Sequence, residues 1–223
     1  MMKKILFFGI LLTTTIGISQ VQQEDKFIIP KGTWTLAGSV SFNNNNADFT
    51  SENGDFTRDN ENNSFTIAPI VGYTFSDNWI VGIIPSYTTF KTEFNSFNSD
   101  FGISTSEDKS ESVTLSSFVR RYFGINKSLA LYLQGEAGYT RTWTEAIRGD
   151  GERFTSSQEG VLTNIRPGIS FFVSEHLAFE SSVGAISFSS FTQQPGDGGE
   201  TKRNNFNTNF NFSNISVGLS YFF

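Results

Sequence analysis

Apolar and polar residues alternate along the last residues of the chain. In steps of two, the apolar positions are Ile215, Val217, Leu219, Tyr221 and Phe223, and the positions between them are mostly small or polar. A two-residue period is typical of a β-strand with one apolar face. Chain ends fray unless tertiary contacts hold them, so the pattern predicts a strand that is built into a sheet.

Seven earlier segments show the same alternation and bring the number of predicted strands to eight. In the seventh, the apolar face is assigned to Leu177, Phe179, Val183 and Ala185. The eight predicted strands cover residues 32–42, 64–75, 79–90, 112–123, 129–143, 161–173, 176–188 and 214–223.

The connections between these strands alternate in length. Three are short and rich in turn residues, such as SDN at 76–78, and suit β-hairpins. The other four are long, polar and predicted to be loops, at residues 43–63, 91–111, 144–159 and 192–205. Short turns at one end and long loops at the other predict an all-β fold: an eight-stranded antiparallel up-and-down transmembrane β-barrel, with periplasmic turns and extracellular loops.

The first residues have the pattern of a secretory signal peptide. MMKK is positively charged, the run from Ile5 to Ile18 is uncharged and apolar, and small residues stand at Gly17 and Ser19, at the end of this run. A helix needs about 20 residues to cross a bilayer, so this run is too short to be an anchor. We therefore predict a signal peptide at 1–19, a periplasmic lead-in at 20–31 and an outer-membrane barrel at 32–223.

Composition excludes several classes of protein. The chain has no cysteine, which excludes disulfides and thiolate metal sites, and its net charge of −6 argues against nucleic acid as a partner. No second long apolar run follows the predicted signal peptide. A β-barrel is then the remaining way for the chain to span a membrane.

A soluble, lipocalin-like barrel would show the same alternation with its faces reversed. The polar phase of its strands would face water and should carry many lysines and glutamates. Here that phase is mostly Gly, Ser, Thr and Asn, which suits the crowded inside of a narrow barrel. Pro69, Pro85 and Pro167 argue weakly against regular strands, because proline removes a ladder hydrogen bond and requires a bulge or an edge. The membrane barrel is the favoured interpretation, with the soluble barrel as an alternative.

Aromatic residues fall near both ends of the predicted strands. Amphipathic rings settle at membrane interfaces, so two such bands predict aromatic girdles. The residues assigned to the girdles are Trp34, Trp79, Trp143, Tyr87, Tyr139 and Tyr221.

The predicted signal peptide, the eight strands and the terminal VGLSYFF together resemble the small eight-stranded outer-membrane β-barrels of OmpA/OmpX type and their porin-family relatives. FVRRYF at 118–123 also resembles a segment common in such proteins. The resemblance implies a Gram-negative outer membrane protein, surrounded by lipid and lipopolysaccharide and assembled by the barrel-assembly machinery. In that family the last strand is the assembly signal, and the matching residues are Ile215, Val217, Leu219, Tyr221 and Phe223. We expect a monomer.

Four charged residues lie in the middle of predicted strands, where charge is otherwise rare. Arg120, Glu136, Arg166 and Glu180 occupy four successive strands with alternating sign. A charge that faces lipid at mid-depth costs about 2–4 kcal/mol for Arg, so an interior ion-pair network is expected. Arg120 is placed inside with Glu136 as its expected partner, and Arg121 outside, although the adjacent arginines leave the phase of this strand open.

The pattern identifies no enzyme. The single histidine, His176, lies in a predicted periplasmic turn, far from the outer leaflet where lipid chemistry would occur. Asn- and Asp-rich stretches such as NNNNAD match no EF-hand, and we expect no cofactor or metal. We expect a plugged barrel with a structural or envelope role, or with surface binding through its loops. A narrow pore and a hydrophobic-ligand carrier with a lateral opening remain alternatives.

Overall fold

The computed structural model describes residues 28–51, 56–98, 102–195, 198–209 and 215–223. The predicted signal peptide and most of the predicted lead-in lie outside these residues. No helix in the described ranges is long and apolar enough to cross a bilayer. Ten strands form one antiparallel sheet: β1 Trp34–Thr50, β2 Phe56–Ser76, β3 Trp79–Asn98, β4 Gly102–Gly124, β5 Leu129–Ile147, β6 Arg153–Phe172, β7 Leu177–Val183, β8 Ala185–Pro195, β9 Thr201–Asn209 and β10 Ile215–Phe222.

The sheet closes on itself as a ring of eight strands. Neighbours in sequence pair from β1 to β7, β7 then pairs with β10, and β10 pairs with β1. Strands β8 and β9 continue β7 and β10 toward the long-connection end, where β8 pairs with β6 and β9 pairs with β8. The eight predicted segments therefore correspond to the ring, with the seventh divided into β7 and β8 and the eighth forming β10, whereas β9 was not predicted.

A β-bulge at Gly184 causes the division between β7 and β8. Gly184 has a φ of 70°, which lies in the left-handed region that favours glycine. On β6, Ile165 pairs with Ile186 and Gly168 pairs with Ser182, so three residues of the seventh segment oppose two of β6. The extra residue reverses the side-chain phase. Phe179 and Phe188 therefore both face outward, and the assignment of Ala185 to the apolar face was wrong.

The apolar phase of the strands faces outward. Leu115, Leu131, Ile169 and Leu219 are all about half exposed, whereas Ser116, Thr140 and Ser170 are buried inside the ring. This arrangement is the reverse of a lipocalin, in which the apolar phase lines the interior. It gives the sheet an apolar outer surface that requires an apolar environment.

The four long connections are mostly strand rather than loop, which corrects the prediction. The ladders continue until Thr50 pairs with Thr57, Asn98 with Gly102, Ile147 with Arg153, and Gln193 with Thr201. Polar side chains link the strands there, as in the hydrogen bond from Asn44 Nδ2 to Asn63 Oδ1 of 2.6 Å. Strands with water on both faces have no apolar phase, so periodicity could not detect them.

Residues 28–33 cover the short-turn end of the ring. Ile29 is buried, its N–H donates to Asn78 Oδ1 at 2.9 Å, and its carbonyl accepts from the Asn78 N–H at 2.9 Å. Asn78 has a φ of 62°, which the tight turn between β2 and β3 requires and which asparagine tolerates. Ile29 joins an apolar core inside this end, formed with Ile80, Phe118, Tyr122, Ala130, Tyr132, Phe172, Ala178 and Phe222.

Candidate functional site

The four charged residues that the sequence singled out lie together inside the ring. Arg120 and Glu180 form an ion pair across the lumen, with 2.6 Å between Nη1 and Oε2. Both side chains are almost fully buried, with 5% and 7% of their surfaces exposed. A buried charge is costly without a partner, so each of these groups depends on the other.

Hydrogen bonds and aromatic rings surround the buried pair. Arg120 Nε donates to Gln134 Oε1, and Arg120 Nη1 also donates to Tyr122 Oη at 2.7 Å. Tyr122 Oη donates in turn to Glu180 Oε1. The guanidinium lies 4.5 Å from the centre of the Tyr132 ring, within the range of a cation–π interaction. The pair is thus held by several strands at once.

Glu136 and Arg166 form a second ion pair beside the first. Arg166 Nη2 donates to Glu136 Oε2 at 2.9 Å, and Asn164 Nδ2 donates to the same oxygen at 3.2 Å. Gln134 Nε2 donates to Glu136 Oε1. Gln134 therefore connects the two pairs, and a continuous chain of hydrogen bonds runs from Glu180 through Arg120 and Gln134 to Glu136 and Arg166. We call these five residues the charged layer.

The pairing differs from the expectation in one respect. Glu136 was expected to be the partner of Arg120, because it lies on the next strand. Arg120 instead reaches Glu180, two strands further around the ring, and Arg166 is the partner of Glu136. The adjacent Arg121 lies on the outer surface, where its guanidinium is 5.0 Å from the Trp79 ring centre and 4.9 Å from that of Phe123.

An aromatic layer fills the lumen next to the charged layer, on the short-turn side. It consists of Tyr122, Tyr132, Phe172 and Phe222, with ring centres 5.5–6.4 Å apart in contacting pairs. Sequence reasoning missed this layer, because it assigned the phase containing Phe222 to small and polar residues. The available signal was that these aromatic residues interrupt the small phase close to the short turns.

A polar cavity of about 340 Å³ lies on the other side of the charged layer. Hydroxyl groups contribute much of its wall, and Arg166 reaches into it with 40% of its side chain exposed. The cavity also reaches β1 and β10, where it is lined by Ala37, Gly38, Ser39, Val217, Gly218 and Leu219.

The junction between the first and last strands, which we call the seam, is short. Strands β1 and β10 pair only from Thr35 with Phe222 to Gly38 with Leu219. Beyond Gly38, β1 pairs with β2 alone, and β9 pairs with β8 alone, within the described residues. Residues 40–50 and 201–208 are exposed on both faces, unlike the inward positions of β4 and β5. Among the described residues, the wall is therefore hydrogen-bonded at the short-turn end and unpaired along the seam above it.

The other predicted site residues lie on the outer surface or in the short turns. Five of the predicted girdle residues are exposed outward, and Trp79 is partly covered by Arg121. Val217, Leu219, Tyr221 and Phe223 form the outward phase of the last strand, of which Ile215 is the first residue. His176 Nδ1 lies 2.8 Å from the Phe222 carbonyl oxygen in a short turn. The girdle and the assembly signal stay predictions.

Comparison with known proteins identifies one family. The model of the outer membrane protein beta-barrel domain matches residues 8–223. Among solved structures, the chain is similar to the outer membrane protein OprG from Pseudomonas aeruginosa, with 13% sequence identity and a TM-score of 0.47, over 91% of this chain and 99% of that one. No curated protein matches the sequence.

Proposed function

The chain belongs to the outer membrane protein β-barrel family and is a protein of the Gram-negative outer membrane; on that premise we propose that its eight-strand ring spans the bilayer with a plugged lumen. Its role is structural or envelope-related, and it catalyses no reaction. The observation that carries this proposal is the buried pair of Arg120 and Glu180 above the aromatic layer.

The outer surface supports the membrane-spanning part of the proposal. On β2 the outward residues are apolar from Phe75 to Phe65 and then change to Asn63 and Glu61. A tilted transmembrane strand needs about 9–11 residues, which this stretch supplies. The 21 residues of β2 are about twice that number, so the second half of the strand extends beyond the apolar band.

The contents of the lumen support the plug. An eight-stranded ring leaves room for little more than its own side chains, whereas porins with water channels use about 16–18 strands. Here the charged layer and the aromatic layer are stacked along the lumen, with the aromatic layer nearer the short turns. Ions would have to cross both layers, so the geometry does not favour a continuous pore.

Planar bilayer recording tests the plug. We expect the wild-type protein to show no conductance steps, and a variant that thins both layers, Arg120→Ala with Glu180→Ala and Tyr122→Ala, to conduct. The matched control is Arg121→Ala, which removes a neighbouring arginine from the outer surface. Conductance by the wild type equal to that of the triple variant would contradict the plug. A shift in gel mobility between boiled and unboiled samples establishes that each variant is folded.

The projecting hairpins support a role in surface binding. Beyond the apolar band, β1 to β4 continue as polar ladders, and loops or hairpins on a rigid scaffold commonly carry binding sites. Removal of residues 43–63, with Ser64 joined to Phe42 by a short turn, would abolish any such binding while the barrel still folds. Loss of the heat-dependent mobility shift in this variant would instead show that residues 43–63 are needed for a stable barrel.

A second candidate function, a carrier of hydrophobic ligands, is favoured by the open seam. An opening between Ser39–Thr50 of β1 and β9 would connect the cavity with the lipid at the height of Val40 and Phe42. The chain has no cysteine, so a single introduced one gives a unique attachment site.

A spin label at Ser41→Cys tests the opening, with Thr66→Cys as the matched control. Ser41 and Thr66 are register partners on the inward phase. At this height β2, which carries Thr66, is paired with strands on both sides, whereas β1 at Ser41 is paired with β2 alone within the described residues. We expect the Ser41 label to collide more often with oxygen dissolved in the lipid. Equal collision rates at the two sites would contradict an open seam.

A further inference from the structure

The cavity above the charged layer is built from hydrogen-bonding side chains. Its volume of about 340 Å³ lies within the range of small-molecule sites, about 300–1,000 Å³. Uncharged polar residues from five neighbouring strands line it, among them Thr66, Ser86, Thr114, Ser116, Gln134 and Asn164. Such a wall can form hydrogen bonds with a polar ligand of either charge. The ionised residues in the lining therefore determine which ligand charge is favoured.

Arg166 is the more exposed of the two arginines in the cavity lining and is therefore the cation that a ligand can reach. The other arginine in its lining, Arg120, is 5% exposed and uses Nε and Nη1 in hydrogen bonds within the layer. Toward the described part of the chain, Arg166 donates only from Nη2, its buried Nε has no hydrogen-bond partner there, and 40% of its side chain is exposed. It therefore keeps donors for a further acceptor.

Arg166 supplies only one of the hydrogen bonds that the Glu136 carboxylate accepts. Its carboxylate accepts three hydrogen bonds, from Gln134, Asn164 and Arg166. A carboxylate has about four acceptor sites, so two amide donors already satisfy half of them. A second anion could share the Arg166 guanidinium while Glu136 keeps its other partners.

The wall is irregular at Arg166, whose side chain lies on the inward phase of β6 and reaches into the cavity. Arg166 and Pro167 lie opposite the Gly184 bulge, between the pairs Ile165–Ile186 and Gly168–Ser182. Proline has no N–H to donate to the ladder, and bulges often redirect side chains next to binding sites. The bulge and the proline therefore occur at the position of the partly free arginine.

We propose that Arg166 binds the carboxylate of an amphiphilic monocarboxylate, whose apolar part lies toward the seam. The planar guanidinium matches a carboxylate through two parallel hydrogen bonds. Ala37 and Ile70, which are register partners on the inward phase of β1 and β2, line the cavity next to the seam and supply apolar contact for the rest of the ligand. The inference rests on the second candidate function and specifies the chemical class of its ligand.

Binding of radiolabelled decanoate to the full-length protein in nanodiscs tests this site, with empty nanodiscs subtracted. We expect Arg166→Gln to weaken decanoate binding about 10- to 100-fold, the effect of losing a charged hydrogen-bonding partner. Glutamine can still donate to Glu136. Arg121→Gln, on the outer surface, is the matched control and should bind as the wild type does.

Competition on the wild type keeps the test decisive if Arg166→Gln does not fold. Unlabelled decanoate should displace the label at far lower concentration than decanol, which lacks the charge. Butyrate, which lacks most of the apolar part, should compete poorly.

The outcomes separate the carboxylate site from the carrier function. Equal competition by decanol and decanoate would overturn the role of Arg166 but leave the carrier in place. Butyrate as effective as decanoate would overturn the amphiphile and indicate a site for small carboxylates. No specific binding of decanoate or decanol would overturn both.

Discussion

Arg120 and Glu180 form an ion pair of 2.6 Å across the lumen, although β5 and β6 separate their strands in the ring. The two residues are 60 positions apart in sequence. Their contact therefore joins opposite parts of the wall, whereas ladder hydrogen bonds join only neighbouring strands. It forms only when the sheet curves enough to bring β4 and β7 face to face.

Removal of Glu180 should destabilise the barrel strongly. In Glu180→Ala, Arg120 stays buried without its counter-ion, which costs about 3–5 kcal/mol. We expect the midpoint of the heat-dependent mobility shift to fall clearly, and Glu180→Gln, which keeps a hydrogen-bonding group, to fall less. The control is Arg121→Ala on the outer surface. A Glu180→Ala midpoint equal to that of the control would show that the pair contributes little.

Gly168 should not tolerate alanine, because the Tyr132 ring lies over it. A Cβ at Gly168 would overlap Cζ of Tyr132, and these two residues are register partners. We expect Gly168→Ala to destabilise the barrel by about 1–3 kcal/mol, the usual effect of overpacking.

Gly135→Ala is the matched control for Gly168→Ala, because a Cβ there meets no atom within 4 Å. The second change Tyr132→Leu in Gly168→Ala should recover part of the lost stability. Equal effects of the two glycine substitutions in urea unfolding would contradict the close contact.

Asn78 should hold residues 28–33 over the short-turn end. Asn78→Gly keeps the turn conformation but removes the Oδ1 acceptor of the Ile29 N–H. We expect faster hydrogen exchange at the Ile29 amide, with the β2–β3 ladder unchanged. Asn78→Ala should also weaken the turn, because alanine adopts a positive φ at a cost. Unchanged exchange at Ile29 in both variants would assign its position to apolar packing alone.

The β3–β4 hairpin beyond the apolar band should loosen in acid. Hydrogen bonds from Lys109 and then Lys91 lower the pKa of Glu107. A lowered pKa means that the ionised carboxylate stabilises the fold above the ordinary pKa of 4.5, and that this contribution is lost as the pH falls through the lowered value.

Amide hydrogen exchange along β3 and β4 between pH 6 and pH 3 measures the acid effect after correction for intrinsic rates. Glu107→Gln should lack the pH-dependent part, while its barrel stays intact. The effect should be small and weaken in salt, because the cluster is exposed. An identical pH dependence in wild type and Glu107→Gln would exclude Glu107 as its origin.

Local alternation accounts for the parts of the fold that the sequence predicted. In β10 and β5 the apolar phase meets lipid and the small phase meets the lumen, so one period records both environments. The same signal fails in Asn43–Asn63, where both faces of the hairpin are polar, and at Gly184, where one extra residue reverses the phase. Alternation is visible only where one face of a strand is apolar and the other is polar. The polar hairpin has no apolar face, and the bulge exchanges the two faces partway along the segment.

The sequence by itself determined that the chain alternates as an antiparallel β protein, which residues face each side of most strands, and that four charges lie among inward residues. Only the tertiary structure decided that Arg120 pairs with Glu180 and Arg166 with Glu136, that the aromatic layer crosses the lumen, and that the seam between β1 and β10 ends at Gly38. The physical reason is that side-chain phase is set locally by the two-residue period. Partners across a closed ring depend on its curvature and stagger, which no single strand contains.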